Sequence, residues 1–392
     1  MNGVTEAQAG LAGAPVAEGS GPAGPGLLPA VGEVVTDILR PQTVAIDRDG
    51  RYPRDVMQAL GRAGAFAPHL ASQTPAGGTD LQASIEAMAS VSSECLSTGF
   101  LTWCQDTCAW YVENSENQAL KQAMAGPLAR GEVMGGTGLS NPMKYYSGIE
   151  SLRLTATEEA GGYRINGLLP WVSNLGEGHY FGAVFRVEGE NPREVMALIP
   201  CDLDGLTMSQ NTEFAALEGT ATLACRFEDA FLPEFWVLAE NACPYLKRVQ
   251  PGLVLMQMGM GLGLTQGCIE LMREVEPRLA HVNCYLEDRP EQLAEEARDL
   301  QDATAALAAE AHRSDPDYMR EVLQLRLAGG ELTLRAAHSA MQHTGASGYQ
   351  AGSAAQRKLR EAYFVAIVSP AIKHLRKEVA ERLAVREEEA AA

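Results

Sequence analysis

Residues 151–157, Ser-Leu-Arg-Leu-Thr-Ala-Thr, alternate apolar and polar side chains, and beyond Gly161-Gly162 the run Tyr163-Arg164-Ile165 resumes the pattern. Period-two alternation on both sides of a glycine pair predicts a β-hairpin. Further strands are expected at Val184–Val187, Val195–Ile199 and Thr220–Phe227, with turn-rich residues 188–192 and 202–205 between them. Upstream the period is helical. Arg54 to Gly64 sets Val56, Leu60 and Ala63 on one face and stops at a glycine. Helices are also expected from Leu81 to Ser92, Cys95 to Tyr111 and Gln118 to Leu128. Downstream, helical periodicity returns after Val237, to about Glu274 and then near Pro290–His312, Tyr318–Gln342 and Gln356–Val385. The order is helical, β, helical. It predicts an α+β chain with a disordered lead-in (1–31), an N-terminal helical domain (32–134), a middle β domain (135–237), a C-terminal helical bundle (238–385) and a solvated tail (386–392).

Composition narrows the partners. The 392 residues carry 31 Lys+Arg against 50 Asp+Glu, a formal charge of −19. A surface so acidic argues against binding nucleic acid or an anionic membrane, while leaving room for a small-molecule site. The eight cysteines are scattered through a long chain, mostly among apolar residues, which reads as reduced thiols in a cytoplasmic protein. The first 30 residues hold no Lys or Arg, so they lack the marks of a secretory signal or transit peptide.

Residues 249–269 carry no charge, long enough to cross a bilayer. Yet they include Gln250, Pro251, Gln257, Thr265 and Gln266. Gly259, Gly263 and Gly267 recur at i, i+4 and i+8, a stripe that lets helix backbones approach closely. A buried core helix is expected, not a membrane span. Cys104 and Cys108 could share a helix face, but no histidine or second cysteine pair completes a metal set, so no metal is expected. Gly259-Met260-Gly261-Leu262-Gly263 has no strand before it, which excludes a dinucleotide-binding βαβ unit.

Five segments, in order, resemble the acyl-CoA dehydrogenase superfamily of flavoproteins. Gly131-Glu132 with Gly138-Leu139-Ser140-Asn141-Pro142 is similar to the family's Gly-Glu … Leu-Thr-Glu-Pro. Tyr163-Arg164-Ile165-Asn166-Gly167 with Trp171-Val172-Ser173-Asn174 is similar to Asn-Gly … Trp-Ile-Thr-Asn. Phe227-Glu228-Asp229-Ala230-Phe231-Leu232-Pro233 resembles the strand that leaves the β domain. Gln342-His343-Thr344-Gly345-Ala346-Ser347-Gly348-Tyr349 and Arg360-Glu361-Ala362 resemble Gln-x-x-Gly-Gly-x-Gly-Tyr and Arg-Asp-Ala. Taken singly, Trp171 reads as a core tryptophan, Ser140 and Ser173 as turn or capping residues, and Gln342–Gly348 as a helix end. Their order along the chain carries the resemblance.

The resemblance implies an N-terminal helical domain, a β-barrel-like domain and a C-terminal four-helix bundle, paired into a homodimer or homotetramer. It implies FAD, or a related flavin such as FMN, between the β domain and the bundle. Leu139 and Ser140 fall at positions that meet the flavin ring, Trp171 at its wall, and Ser173 where a hydroxyl lies near N5. Gln342, Gly345 and Gly348 fall where a partner subunit receives the ADP part, the glycines admitting backbone amides to the phosphates. The substrate class implied is an acyl-CoA thioester or a similarly shaped small molecule, with an electron-transfer partner.

Two departures stand out. The family's base, a glutamate shortly after Arg-Asp-Ala, aligns with Ser369, and its alternative site aligns with Leu253. A serine hydroxyl cannot remove a thioester α-proton near neutral pH without a base of its own. Asn283 stands nearest the arginine that meets the flavin pyrophosphate, and a neutral amide holds phosphate less strongly. These departures leave open a flavin oxidoreductase with non-standard residues, a two-component monooxygenase fed reduced flavin by a reductase, and a scaffold without cofactor. Glu361 and His374, read as the titratable groups nearest the vacant site, are expected as exposed helix residues.

Overall fold

The computed structural model describes residues 26–74, 77–189 and 191–391, with side chains to residue 384. Residues 1–25 of the expected lead-in, and the side chains of the expected tail, lie outside it. The N-terminal layer begins with α1 (Leu27–Glu33), which starts inside the stretch expected to be lead-in. Leu27 to Val31 are helical because Val31 is buried among Val34, Val35 and Leu60. The rod continues through a π-helical turn, Val34–Leu39, and a 3-10 turn into α2 (Thr43–Arg48). Then come α3 (Arg54–Arg62), α4 (Leu81–Glu94), α5 (Leu96–Glu113) and α6 (Gln118–Ala129). Asp80 and Asn117 cap α4 and α6, accepting from Ala83 N (2.9 Å) and Leu120 N (3.1 Å).

The middle unit is a mixed eight-stranded sheet: β1 (Gly135–Thr137), β2 (Leu154–Glu159), β3 (Gly162–Val172), β4 (Tyr180–Glu188), β5 (Arg193–Pro200), β6 (Leu206–Ser209), β7 (Leu223–Pro233) and β8 (Val237–Ala239). The expected hairpin is β2–β3, in register from Leu154↔Gly167 to Glu159↔Gly162. The order is β6-β7-β3-β2-β4-β5-β8, with β1 running parallel to β4. Between β1 and β2 lies the short helix α7 (Ser140–Tyr146).

The C-terminal unit holds α8 (Ala242–Asn283), α9 (Pro290–Ala308), α10 (Pro316–Thr344), α11 (Ala354–Ile367) and α12 (Ile372–Ala391). Its last helix was expected to be continuous. Instead the chain breaks at Ser369-Pro370, because proline supplies no N–H and pushes the preceding residue out of helical backbone. The Glu/Ala-rich end stays helical in its backbone to Ala391, as that composition favours. The uncharged stretch is the middle of α8, and 94% of its most apolar part lies inside the protein. Its glycine stripe meets α4 backbone: a Cβ on Gly259, Gly263 or Gly267 would press on the carbonyls of Ile85, Ala89 and Ser93 respectively.

Candidate functional site

Where the β domain meets the C-terminal helices there is a cavity of about 900 Å³. Leu139, Met143, Tyr146 and Ser147 line it from the β domain, Val249, Gln250 and Leu253 from α8, Asp315, Pro316, Asp317 and Arg320 from the start of α10, and Glu378 and Arg382 from α12. Leu253 therefore puts an apolar wall at the alternative base position. Behind that wall stand two buried indoles of α5. Trp103 Nε1 donates to Leu253 O (3.2 Å) and Trp110 Nε1 to Val249 O (3.1 Å).

Beside the cavity wall, the Ser140 and Ser369 hydroxyls lie 2.8 Å apart, joining the first turn of α7 to the break before α12. Ser369 is held from behind. Gln257 Nε2 donates to its carbonyl (2.8 Å), and Arg326 Nε donates to Gln257 Oε1 (2.8 Å), with Nη2 on Val365 O (2.6 Å). Arg326 is buried and pairs with no carboxylate among the described residues. Burial pulls its pKa down to about 10, so it stays charged at neutral pH. The sequence held a signal for it: Val322, Arg326, Gly329 and Thr333 share one buried face of α10.

At the end of β3, Trp171 is 55% exposed, although large aromatics are usually covered. Ser173, two residues on, is buried with its hydroxyl 2.7 Å from that of Thr222. A backbone bridge joins Ser173 to Thr137, only two residues before Leu139. The following Asn174 sits at φ 64°, held by Tyr52 Oη, which donates to its Oδ1 (2.6 Å), and by its own Nδ2, which donates to Gly135 O (2.8 Å). An uncovered apolar plate near polar hydroxyls suits a planar heteroaromatic ring. These residues fit a flavin.

The expected ADP-side positions lie at the end of α10 and in the turn that follows it. The Gln342 amide contacts His338 Nε2 (2.9 Å). Gly345, at φ 60°, ends α10 with its N–H on Met341 O, and the Gly348 N–H donates to Gly345 O (3.0 Å). Neither glycine amide is free within one chain. Gly348 is needed because a Cβ there would lie 2.8 Å from Thr344 Cβ. Asn283 is buried, with Nδ2 donating to His343 O (3.3 Å), so it packs within the helices.

Glu361 and His374, expected exposed, are 0% and 4% exposed. Each is covered by a distant segment. Glu361 faces the α4–α5 junction, accepting from Leu96 N (3.2 Å), and burial raises its pKa. His374 Nε2 lies 2.6 Å from Ser147 Oγ and 2.9 Å from Glu378 Oε1, and Ser147 also donates to Glu378. One imidazole nitrogen serves both neighbours and Nδ1 has no partner among the described residues, so this is not the serine–histidine–acid relay of a hydrolase.

Burial alone would raise the Glu378 pKa, but hydrogen bonds from His374 and Ser147 and the Arg382 charge outweigh it and bring it to about 2. Folded below its unfolded value of 4.5, the carboxylate adds stability that is present above pH 4.5 and lost as pH falls towards 2. Glu378→Gln should flatten that part of the acid-unfolding curve, followed by circular dichroism. The other carboxylates on the wall also face cations: Asp317 lies 3.1 Å from Arg320, and Asp315 2.9 Å from Arg313. Acids held this way are weak bases. Asp106 is buried with both carboxyl oxygens unpartnered among the described residues, and burial raises its pKa, but it does not line the cavity.

Residues 26–132 match the family described as acyl-CoA dehydrogenase, N-terminal domain. Human mitochondrial short-chain specific acyl-CoA dehydrogenase is 24% identical over 336 residues, covering 83% of this chain and 81% of that protein. The butyryl-CoA dehydrogenase of Megasphaera elsdenii has the same fold, with a TM-score of 0.80 at 15% identity over 91% of this chain and 97% of its own. The N-terminal helical layer thus matches the acyl-CoA dehydrogenase family, and the chain as a whole has the acyl-CoA dehydrogenase fold.

The fold does not fix the chemistry, because it is shared more widely. The dibenzothiophene monooxygenase TdsC of Paenibacillus sp. A11-2 superposes with a TM-score of 0.75 at 16% identity, covering 90% of this chain and 96% of that one. KijD3, solved with FMN and a dTDP-amino-sugar, gives 0.76 at 18% identity, covering 93% and 95%. Ser369 and Leu253 stand at the positions expected from the sequence for the family's base.

Proposed function

We propose that this protein is a flavin-dependent oxidoreductase that takes a small molecule in the 900 Å³ cavity and works without a carboxylate base. The observation that carries the reading is the uncovered Trp171 indole beside Ser173, with the Ser140–Ser369 hydroxyl pair one short segment away. A bound flavin would supply the electron-transfer chemistry. Trp171 would cover one face of its ring, the hydroxyls would meet its polar edge, and the indole-backed wall at Val249 and Leu253 would exclude water. The substrate reading is an acyl-CoA ester or a molecule of similar shape. Subunits are proposed to pair as a homodimer or homotetramer in the cytoplasm, with an electron-transfer protein or a flavin reductase as partner.

A second reading, oxygenation with externally reduced flavin, is favoured by Ser369 and Leu253 at the base positions. Oxygenation does not require removal of a thioester α-proton, and the wall's acids are tied to cations. Anaerobic addition of CoA esters to flavin-loaded protein separates the two. Bleaching of the visible flavin band supports dehydrogenation; turnover only with oxygen and supplied reduced flavin supports oxygenation. Protein that binds no flavin under any condition overturns both. Trp171→Ala should weaken flavin binding by roughly tenfold, the scale of a lost aromatic stack, read by equilibrium titration. An unchanged affinity would place the ring elsewhere.

A further inference from the structure

Three hydroxyls form a row from the 217–222 loop to the end of β3. Thr220 Oγ1 donates to Leu217 O at 2.7 Å. Thr222 Oγ1 lies 2.8 Å from Thr220 Oγ1, and Ser173 Oγ lies 2.7 Å from Thr222 Oγ1. Oxygens this close need a proton between them, and each hydroxyl has one to give. The Leu217 carbonyl has none, so Thr220 must supply the first. Its proton spent, Thr220 can only accept from Thr222, and Thr222 can then only accept from Ser173. All three protons point inward.

The direction is fixed by a rigid end. Thr220 is buried, and its loop passes through two non-glycine residues in the left-handed region, Leu217 (φ 66°) and Ala221 (φ 45°). Backbone bonds tie the loop down: Thr220 N to Leu217 O (3.2 Å), Asn174 N to Thr220 O (3.0 Å) and Leu175 N to Ala221 O (3.3 Å). The last two connect it to the residues directly after Ser173.

We propose that Ser173, its own proton turned inward, faces the crevice as an acceptor only and so selects flavin in the reduced form, whose N5 carries a hydrogen. The inference rests on the flavin reading above. Oxidised flavin offers a lone pair at N5, which an acceptor cannot satisfy, whereas reduced flavin offers an N–H. Thr220 and Thr222 are positioning residues: they touch no ligand and set what Ser173 can do.

The test is a set of dissociation constants for FMN and FAD, each oxidised and each anaerobically reduced, on the full chain. Reduced flavin should bind roughly tenfold more tightly, the scale of one satisfied against one unsatisfied hydrogen bond. For a two-electron couple that ratio raises the bound potential by roughly 30 mV. Thr220→Val removes the inward anchor, letting Thr222 donate to Ser173 and Ser173 donate outward, so the preference should shrink or reverse. Thr220→Ser should retain it. Ser173→Ala, which leaves the loop intact, should bring the ratio towards one. Equal binding of both forms by the native chain, or a ratio unmoved in both Thr220→Val and Ser173→Ala, overturns the inference. Failure of every flavin form to bind overturns the flavin reading itself.

Discussion

Trp110→Ala is expected to cost about 3–5 kcal/mol of unfolding free energy, the usual range for emptying a buried aromatic site. The indole is almost wholly buried, its Nε1 donates to Val249 O, and its ring stacks on His312 with centroids 5.5 Å apart. The site cannot collapse easily. Gly252 already lies so close that a Cβ there would come within 2.9 Å of the indole, so the facing turn of α8 is shaped to the ring. Because Val249 lines the cavity, the same change should loosen its wall. Chemical denaturation of the variant against the native chain measures the first effect, and a loss below about 1 kcal/mol would contradict the packing described.

Gly263→Ala is expected to destabilise the protein by about 2 kcal/mol, although alanine is the better helix former by roughly 1 kcal/mol. A Cβ at 263 would lie 2.8 Å from Ala89 Cα and closer still to the Ala89 carbonyl. Both are backbone atoms and cannot rotate away. Relief requires α4 and α8 to separate, which also breaks the matched approaches at Gly259 and Gly267. Gly32→Ala supplies the control with opposite sign. Gly32 lies in α1 with open space where its Cβ would stand, so alanine should stabilise there by up to about 1 kcal/mol. Denaturation midpoints of the two variants should therefore move in opposite directions.

Local patterns were legible. The Leu154–Ile165 alternation around Gly161-Gly162 gave the hairpin, and the spacing of Gly259, Gly263 and Gly267 gave a helix pressed against another backbone. Pro370 was visible in the sequence, but it competed with strong helical periodicity on both sides, and the break at Ser369 was missed. The four residues of β6 were too short to stand out beside the turn at 202–205. Long-range burial left no local mark. Glu361 and His374 sit on helices that look solvent-facing, and their covers come from Leu96 and Ser147. The Ser173–Thr222–Thr220 row was equally hidden, because it depends on left-handed backbone at Leu217 and Ala221, which no sequence preference marks.

The position of the ring tests the whole reading most directly. A crystal structure of the protein grown anaerobically with reduced FAD or FMN should show the isoalloxazine flat against Trp171. Ser173 Oγ should lie within hydrogen-bond distance of N5, and no carboxylate should reach the space beside Ser369. A flavin bound elsewhere, or an aspartate or glutamate entering that space, would contradict it.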